Sequence, residues 1–516
     1  MSVHEPITNP IPPQKQSVRR HFGSHPYFTR RPWNVVQEYI KHFAPGKEAV
    51  VLDPFGGSGV TAIEALVLGK FGVHADINPL ANFICRQIAI GPVDLTALRV
   101  EFHRLEDNCR AYIDRLFQAK DETLESLDIT DWYPRNIPLP RNADADFIEE
   151  LFSKRQLLAL SRLYAEIRKI DDPVVRDLLR FTFSATLNKC NRTYSTTKGR
   201  SEGRGNSGIM HTYRYWIPKE PVELNVWSEF NQKFTNIWRV KRETNQAIGD
   251  RYKKLKVLQV SATRLSTELP AKSVDYIFTD PPYGSHIGYL DLSTMWNAWL
   301  EFPVTQESRE LEAIEGGDLE KTRDDYSRLL SESFREMGKV LKPSGWLSLV
   351  FAHKEIAYWH LITSAAEEAG FYYANTVVQE SFQPSRHKRA NPLSVLSGEL
   401  ILNFTKNISV GAKIPKKAPP DEIEFVVTQS RDLLEKSKTG LTTEDMYNQL
   451  VPRLLEHGML KNGKNASMID LNGVLQLHFF FDEENARWYL SSNDAEHGRD
   501  ELHMIQSRNQ RAFNFS

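Results

Sequence analysis

The chain has 516 residues, 41% of them hydrophobic and 25% charged, with a formal net charge of -1. That is the balance of an ordinary globular protein with room for two or three domains of ~100–200 residues. No apolar run reaches the ~18 residues of a membrane span, the N-terminal stretch lacks the apolar segment of a secretory signal, and the near-neutral charge leaves any contact with nucleic acid to local basic patches.

In chain order, residues 1–20 are polar and Pro- and Gln-bearing and predict a flexible arm. A helix is predicted over Pro32–Phe43. The apolar run Ala49–Asp53, a helix over Gly59–Gly69, a second run Gly72–Asp76 and a helix over Asn78–Ile88 then alternate, which is the signature of a parallel sheet with helices on both faces. Residues 21–93 are therefore the first part of an α/β core. Cys85, Cys109 and Cys190 are scattered and show no CxxC spacing, so neither a disulfide framework nor a metal site is expected, and a cytoplasmic setting fits.

Residues 94–251 break the alternation. Leucines recur at spacings of three and four in Asp146–Ile170 and Val174–Leu187, and the stretch far exceeds the ~30 residues of a βαβ unit. It predicts a helical insert. The core resumes over 252–407, with strands at Lys256–Val260 and Val274–Asp280. A helix follows whose stripe is Tyr326, Leu329, Leu330, Phe334, Met337, Val340 and Leu341, and Pro343 and Gly345 close it. Further strands are predicted at Trp346–Ala352 and Phe371–Gln379, and an antiparallel one at Glu399–Thr405. Residues 408–420, containing KIPKKAPP, predict a linker. Residues 421–516 predict a small α+β module with a helix near Thr442–His457, N-capped by Thr442, and a strand over Val474–Phe481.

Three signals carry chemistry. Asp53-Pro54-Phe55-Gly56-Gly57-Ser58-Gly59 stands where a strand turns into a helix. Glycines there let a ligand approach the backbone, and the helix N-terminus offers N–H groups to a carboxylate; a tight βα turn with no ligand gives the same pattern. Asp76 ends the next strand, near the ~20-residue distance at which an acid accepts ribose hydroxyls; a strand-end cap is the alternative. No Lys follows the glycines as in a phosphate-binding loop. A ligand with a ribose and a carboxylate but no phosphate describes S-adenosylmethionine. Asp280-Pro281-Pro282-Tyr283 follows an apolar strand. Its prolines stiffen the backbone and remove donors, leaving a carboxylate, carbonyls and a phenol ring suited to a planar base bearing an exocyclic amino group. A Pro-rich turn is the plainer alternative.

Asp280–Tyr283 resembles the catalytic motif of the bacterial amino-methylating (N6-adenine/N4-cytosine) DNA methyltransferases. Asp53–Gly59 resembles their cofactor motif, with Phe55 in the aromatic place, and His25-Pro26-Tyr27-Phe28 resembles the HP-bearing motif that precedes it. The segments Asp280–Leu300 and Trp132 through Asn188 also resemble a subgroup of bacterial DNA methylases, and the resemblance covers Phe22–Lys406. It implies a Rossmann-like, seven-stranded S-adenosylmethionine-dependent methyltransferase sheet with a reversed last hairpin. His25, Pro26, Asp53, Phe55, Gly56, Gly57, Gly59, Asp76 and Asn78 are then expected at the cofactor, and Asp280, Pro281, Pro282 and Tyr283 at the base. One departure is plain: the third strand ends at Ser261-Ala262, where the family often carries an acid for the cofactor adenine.

The activity implied is methylation of an exocyclic amino group in double-stranded DNA, most readily adenine N6, on a flipped base. Cytosine N4 and RNA guanine N2 are alternative targets, and a non-catalytic DNA-binding specificity subunit is an alternative of another class. A restriction endonuclease or other defence-system subunit is an expected partner, and no membrane is. For nucleic-acid contact, Lys189–Arg214 carries six basic residues against Glu202 alone. Arg192, Lys198, Arg200 and Arg204 are the expected contacts, and Tyr194, Tyr213 and Tyr215 are interleaved among them. Arg386, Lys388 and Arg389 form a second cluster between the last two core strands. Solvated loops account for both clusters equally.

Overall fold

The computed structural model describes residues 5–15, 18–196, 205–284, 287–353, 355–379, 399–411, 421–459 and 470–495. Its main sheet has seven strands and is mostly parallel, the α/β architecture that the alternating pattern predicts. The chain divides into two compact units, Gln14–Leu329 and Met1–Pro13 with Leu330–Ser516.

In the unit Gln14–Leu329, strands β1 (Val50–Asp53), β2 (Phe71–Ala75), β3 (Leu255–Leu258) and β4 (Val274–Thr279) lie in the order β3-β2-β1-β4, every pair parallel. Their apolar runs suit burial on both faces, and Val51 and Leu52 are wholly buried. Helix α1 (Trp33–Phe43) precedes β1, α2 (Val60–Val67) follows it, and α3 (Pro79–Ala89) follows β2. Asn78 caps α3 through its side chain to Leu80 N at 3.1 Å, with Pro79 preset for the first turn.

The interruption between β2 and β3 is built of four long helices: α4 (Leu95–Gln118), α5 (Lys154–Arg168), α6 (Pro173–Leu187) and α7 (Val226–Ala247). Asp94, Ser153, Asp172 and Asn225 cap them by side-chain hydrogen bonds. Phe102 of α4 stacks on Phe234 of α7 with centroids 3.8 Å apart. Lys241 of α7 is fully buried and donates to the carbonyls of Gln87 and Ile88 at 3.0 Å and of Ile90 at 2.5 Å. A cation there closes the orphan carbonyls at the end of α3. The helical insert is thus tied to the helix that follows β2.

Helix α8 (Arg323–Val340) contains the boundary between the units, and its predicted stripe is buried throughout. In the second unit, β5 (Leu341–Phe351) leads through helix α9 (Ile356–Glu368) to β6 (Tyr372–Gln379) and then β7 (Glu399–Thr405). These strands are antiparallel, with β7 between the other two. This is the reversed hairpin that the family implies. Residues from the arm expected to be loose are held along β6: Asn375 donates to Ile7 O at 2.6 Å, and Gln379 exchanges hydrogen bonds with Ile11.

The C-terminal residues form α10 (Glu422–Glu435), α11 (Thr443–Glu456) and α12 (Leu471–His478), with the short strands β8 (Leu441–Thr442), β9 (Phe480–Asp482) and β10 (Arg487–Tyr489). Thr442 caps α11 as expected, in a capping box with Asp445. The strand expected over Val474–Phe481 is instead the end of α12 followed by β9. Leu471, Val474 and Leu475 are buried at a spacing of three and four, and that helical face outweighs the apparent alternation. The expected linker lies largely outside the described residues. No helix among the described residues is long and apolar enough to cross a membrane.

Candidate active site

A cavity of about 850 Å³, counting its open mouth, lies at the C-terminal ends of the four parallel strands, and all its lining belongs to the unit Gln14–Leu329. Ligands bind at that edge in open α/β sheets because the strand-to-helix turns leave backbone groups and a crevice there.

After β1, Phe55, Gly56, Gly57 and Ser58 line it. Asp53 also touches the cavity, but its carboxylate is spent on the fold. It accepts Thr279 Oγ1 at 2.8 Å, Thr61 Oγ1 at 2.9 Å and Phe55 N at 3.2 Å, and so staples β1, β4 and α2 together. Burial pushes it up to about 7 against those bonds. Gly56 is demanded by packing: a Cβ there would fall 2.2 Å from Nδ1 of the buried His74. Gly56→Ala is therefore expected to cost about 1–3 kcal/mol, the range for overpacking, read as a fall in thermal midpoint with no ligand present. Gly57 has φ +49. Gly59, at φ +86, opens α2 and does not line the cavity.

After β2, Asp76, Ile77 and Asn78 line the cavity. The Asp76 carboxylate accepts Gly57 N and Asn78 N, each at 2.8 Å, so the acid at the end of β2 shapes the turn after β1. Burial raises it to about 6 while those amides pull it down. A ligand hydroxyl favours the ionised form, so binding draws the pKa down and releases protons. Affinity for an adenosyl ligand is then expected to rise with pH up to about 6 and to flatten above it. Calorimetry with S-adenosylhomocysteine from pH 5 to 8 checks this, and Asp76→Asn is expected to lack the step near 6. Asn78 Nδ2 donates to Ser293 Oγ at 2.8 Å, and Asn297 reaches Asn78 Oδ1 at 3.3 Å. The short helices Tyr289–Leu292 and Thr294–Trp299 are thereby bound to the Asp76 turn.

After β4, Asp280 and Pro282 line the cavity, while Pro281 and Tyr283 stand behind them. Tyr283 OH donates to Asp280 Oδ1 at 2.5 Å. Arg31 completes the triangle, with Nε 2.5 Å from Asp280 Oδ2 and Nη2 2.7 Å from Tyr283 OH. The Pro282 carbonyl accepts Tyr326 OH at 2.7 Å, which fixes the Pro-Pro turn.

The HP-bearing segment is only partly at the site. His25 is buried with Nε2 2.9 Å from Ser184 Oγ and its ring stacked on Phe181, and Nδ1 donates to Pro26 O at 2.7 Å. Burial pulls its pKa down to about 3, so it is neutral. His25 and Pro26 face the insert, which corrects their expected place at the cofactor. Tyr27, Thr29, Arg30 and Arg31 line the cavity in their stead. Arg30 donates to Ser58 Oγ at 3.3 Å and to His25 O, and burial lowers its pKa to about 10. A guanidinium thus flanks the glycine turn.

Glu312 is equally unsignalled by the sequence. It lines the cavity with Ser261, Ala262, Leu311 and Ala313. Burial, and then the nearby Asp291, raise its pKa.

The basic segment needs correction. Tyr194 and Tyr215 are buried. Tyr194 OH accepts Gly205 N at 2.7 Å, and Tyr215 OH donates to Leu292 O at 2.7 Å, so neither is a stacking platform for nucleic acid. Lys189 pairs with Glu229 at 3.1 Å, and Arg214 pairs with Asp144. Arg192 is exposed and spends Nη1 on Glu150 O at 3.0 Å. Lys198, Arg200, Arg204, Arg386, Lys388 and Arg389 lie outside the described residues.

A family model described as DNA methylase matches residues 274–470, a stretch that includes Asp280–Tyr283. The type II methyltransferase M.MvaI of Kocuria varians is 22% identical over 272 residues, covering 50% of this chain and 52% of the relative; the chain spans about half the length of that curated protein. A crystal structure of a DNA modification methylase from Thermus thermophilus aligns at 16% identity over 32% of this chain and 56% of the other, with a TM-score of 0.17, a likeness too slight to support any inference.

Proposed function

We propose that this chain, a member of the amino-methylating DNA methyltransferase family, moves a methyl group from S-adenosylmethionine to the exocyclic amino group of a base in double-stranded DNA, adenine N6 foremost. The observation that carries the reading is that the glycine turn after β1 and Asp280 after β4 line one cavity.

The lining fits S-adenosylmethionine. The turn amides and the Arg30 guanidinium suit its carboxylate, the Asp76 carboxylate suits the ribose hydroxyls, and no lysine is placed for a phosphate among the lining residues. When bound, that donor supplies an electrophilic methyl carbon on a sulfonium. The chain's own residues prepare the acceptor. The Asp280 carboxylate is held by Arg31 and Tyr283, and with the Pro281 carbonyl it would accept the two N–H groups of the base. These bonds localise the amino lone pair and offset the positive charge that grows on nitrogen. The base must leave the duplex to reach this edge, and the Tyr283 ring offers it a stacking face.

An acid at position 280 favours adenine, because cytosine N4 enzymes of the family often carry serine there. Arg192 and the basic residues at 198, 200, 204, 386, 388 and 389 are proposed to contact DNA phosphates, and an endonuclease or other defence subunit is the proposed partner. Sequencing of modified bases in a host expressing the chain tests the reading. N6-methyladenine at a defined motif, absent with Asp280→Ala, is expected; N4-methylcytosine would revise the base, and no DNA modification would overturn it.

A further inference from the structure

The strand order places the ligand end to end. Along the C-terminal edge, Asp280 follows β4, the glycine turn follows β1, Asp76 follows β2 and Ser261-Ala262 follow β3. On the reading proposed above, the reacting methyl lies toward Asp280 and the ribose on Asp76, so the purine of the donor ends at β3. There the strand end supplies no acid: Ser261 donates through Oγ to Leu311 O at 3.2 Å and serves to anchor the segment 311–313.

That segment brings Glu312. It is 6% exposed and lines the same cavity. Among the described residues its side chain makes one hydrogen bond, Oε1 accepting Leu290 N at 2.9 Å. Oε2 keeps its lone pairs beside the cavity. A carboxyl group so buried is costly unless a donor meets it. The ribose hydroxyls fall to Asp76, and the charged amino-acid end lies by Arg30 at the glycine turn. The N–H groups left to satisfy Glu312 are those of the purine 6-amino group. We infer that Glu312, supplied from outside the parallel strands, reads the 6-amino group of the donor's adenine in place of the acid missing after β3.

The inference rests on the cavity being an adenosyl site, and the test separates the two. Calorimetry on the full chain compares S-adenosylhomocysteine with S-inosylhomocysteine, which carries oxygen at the 6-position. The wild type is expected to favour the adenosyl ligand by about thirtyfold, the scale of one hydrogen bond to a charged group. Glu312→Ala is expected to bring the two within about threefold. Glu312→Gln, whose amide can donate to the 6-oxygen, does the same while preserving size, and it guards against a variant that fails to fold. Equal weakening of both ligands, or an unchanged ratio in a folded variant, would overturn the inference while leaving the adenosyl site standing. Binding of neither ligand by the wild type would overturn both.

Discussion

Asp280→Ala is expected to lower methyl transfer by about a thousandfold or more while leaving the affinity for S-adenosylhomocysteine within about threefold. The loss follows from its geometry. Asp280 presents a carboxylate fixed by Arg31 Nε at 2.5 Å and by Tyr283 OH at 2.5 Å, and removing one preorganised partner of a developing charge costs about 10²–10³ in rate. Deleting this carboxylate also releases Arg31, which then brings an unpaired cation toward the nitrogen that becomes positive. The near-normal ligand affinity follows from Asp76, Arg30 and the glycine turn being held by bonds of their own. Single-turnover transfer from labelled donor to DNA gives the first number and calorimetry the second. Equal loss of both would mean that Asp280 is a structural prop.

Asp76→Ala carries the second large effect. Affinity for S-adenosylhomocysteine is expected to fall by about 10–150-fold, the range for hydrogen bonds to a charged group. Two causes add. The ribose loses its acceptor, and Gly57 N and Asn78 N lose the carboxylate that holds both turns at 2.8 Å. Asp76→Asn keeps one acceptor oxygen and is expected to fall between. Titration calorimetry separates the three proteins, and an unchanged Kd in the alanine variant would remove Asp76 from the ligand.

What is legible in the sequence follows how local each cause is. The strands that end at Asp53 and Thr279 are marked by glycine and proline immediately afterward, and stretches such as Glu399–Thr405 are found as predicted. Asn78 declares itself as a cap because its partner is two residues away. Arg31 does not, since its acid lies 249 positions on. Glu312 sits in a stretch without periodicity, and only folding brings it beside Ser261. The motif alone misplaces His25, because it specifies residue order, whereas Ser184 and Phe181 of the insert decide where the ring turns. Basic residues interleaved with tyrosines read alike for a nucleic-acid surface and for a polar skin over buried rings. Tyr215, hydrogen-bonded to Leu292 O, belongs to the second case.

The claim on which the rest depends is that donor and base meet in the crevice between the turn after β1 and Asp280. Incubating the purified chain with methyl-labelled S-adenosylmethionine and unmethylated DNA, then resolving the hydrolysed nucleosides, tests it directly. The account predicts label in N6-methyldeoxyadenosine with the wild type and none with Asp280→Ala. Label of equal intensity with both proteins, or in no nucleoside of DNA, would contradict it.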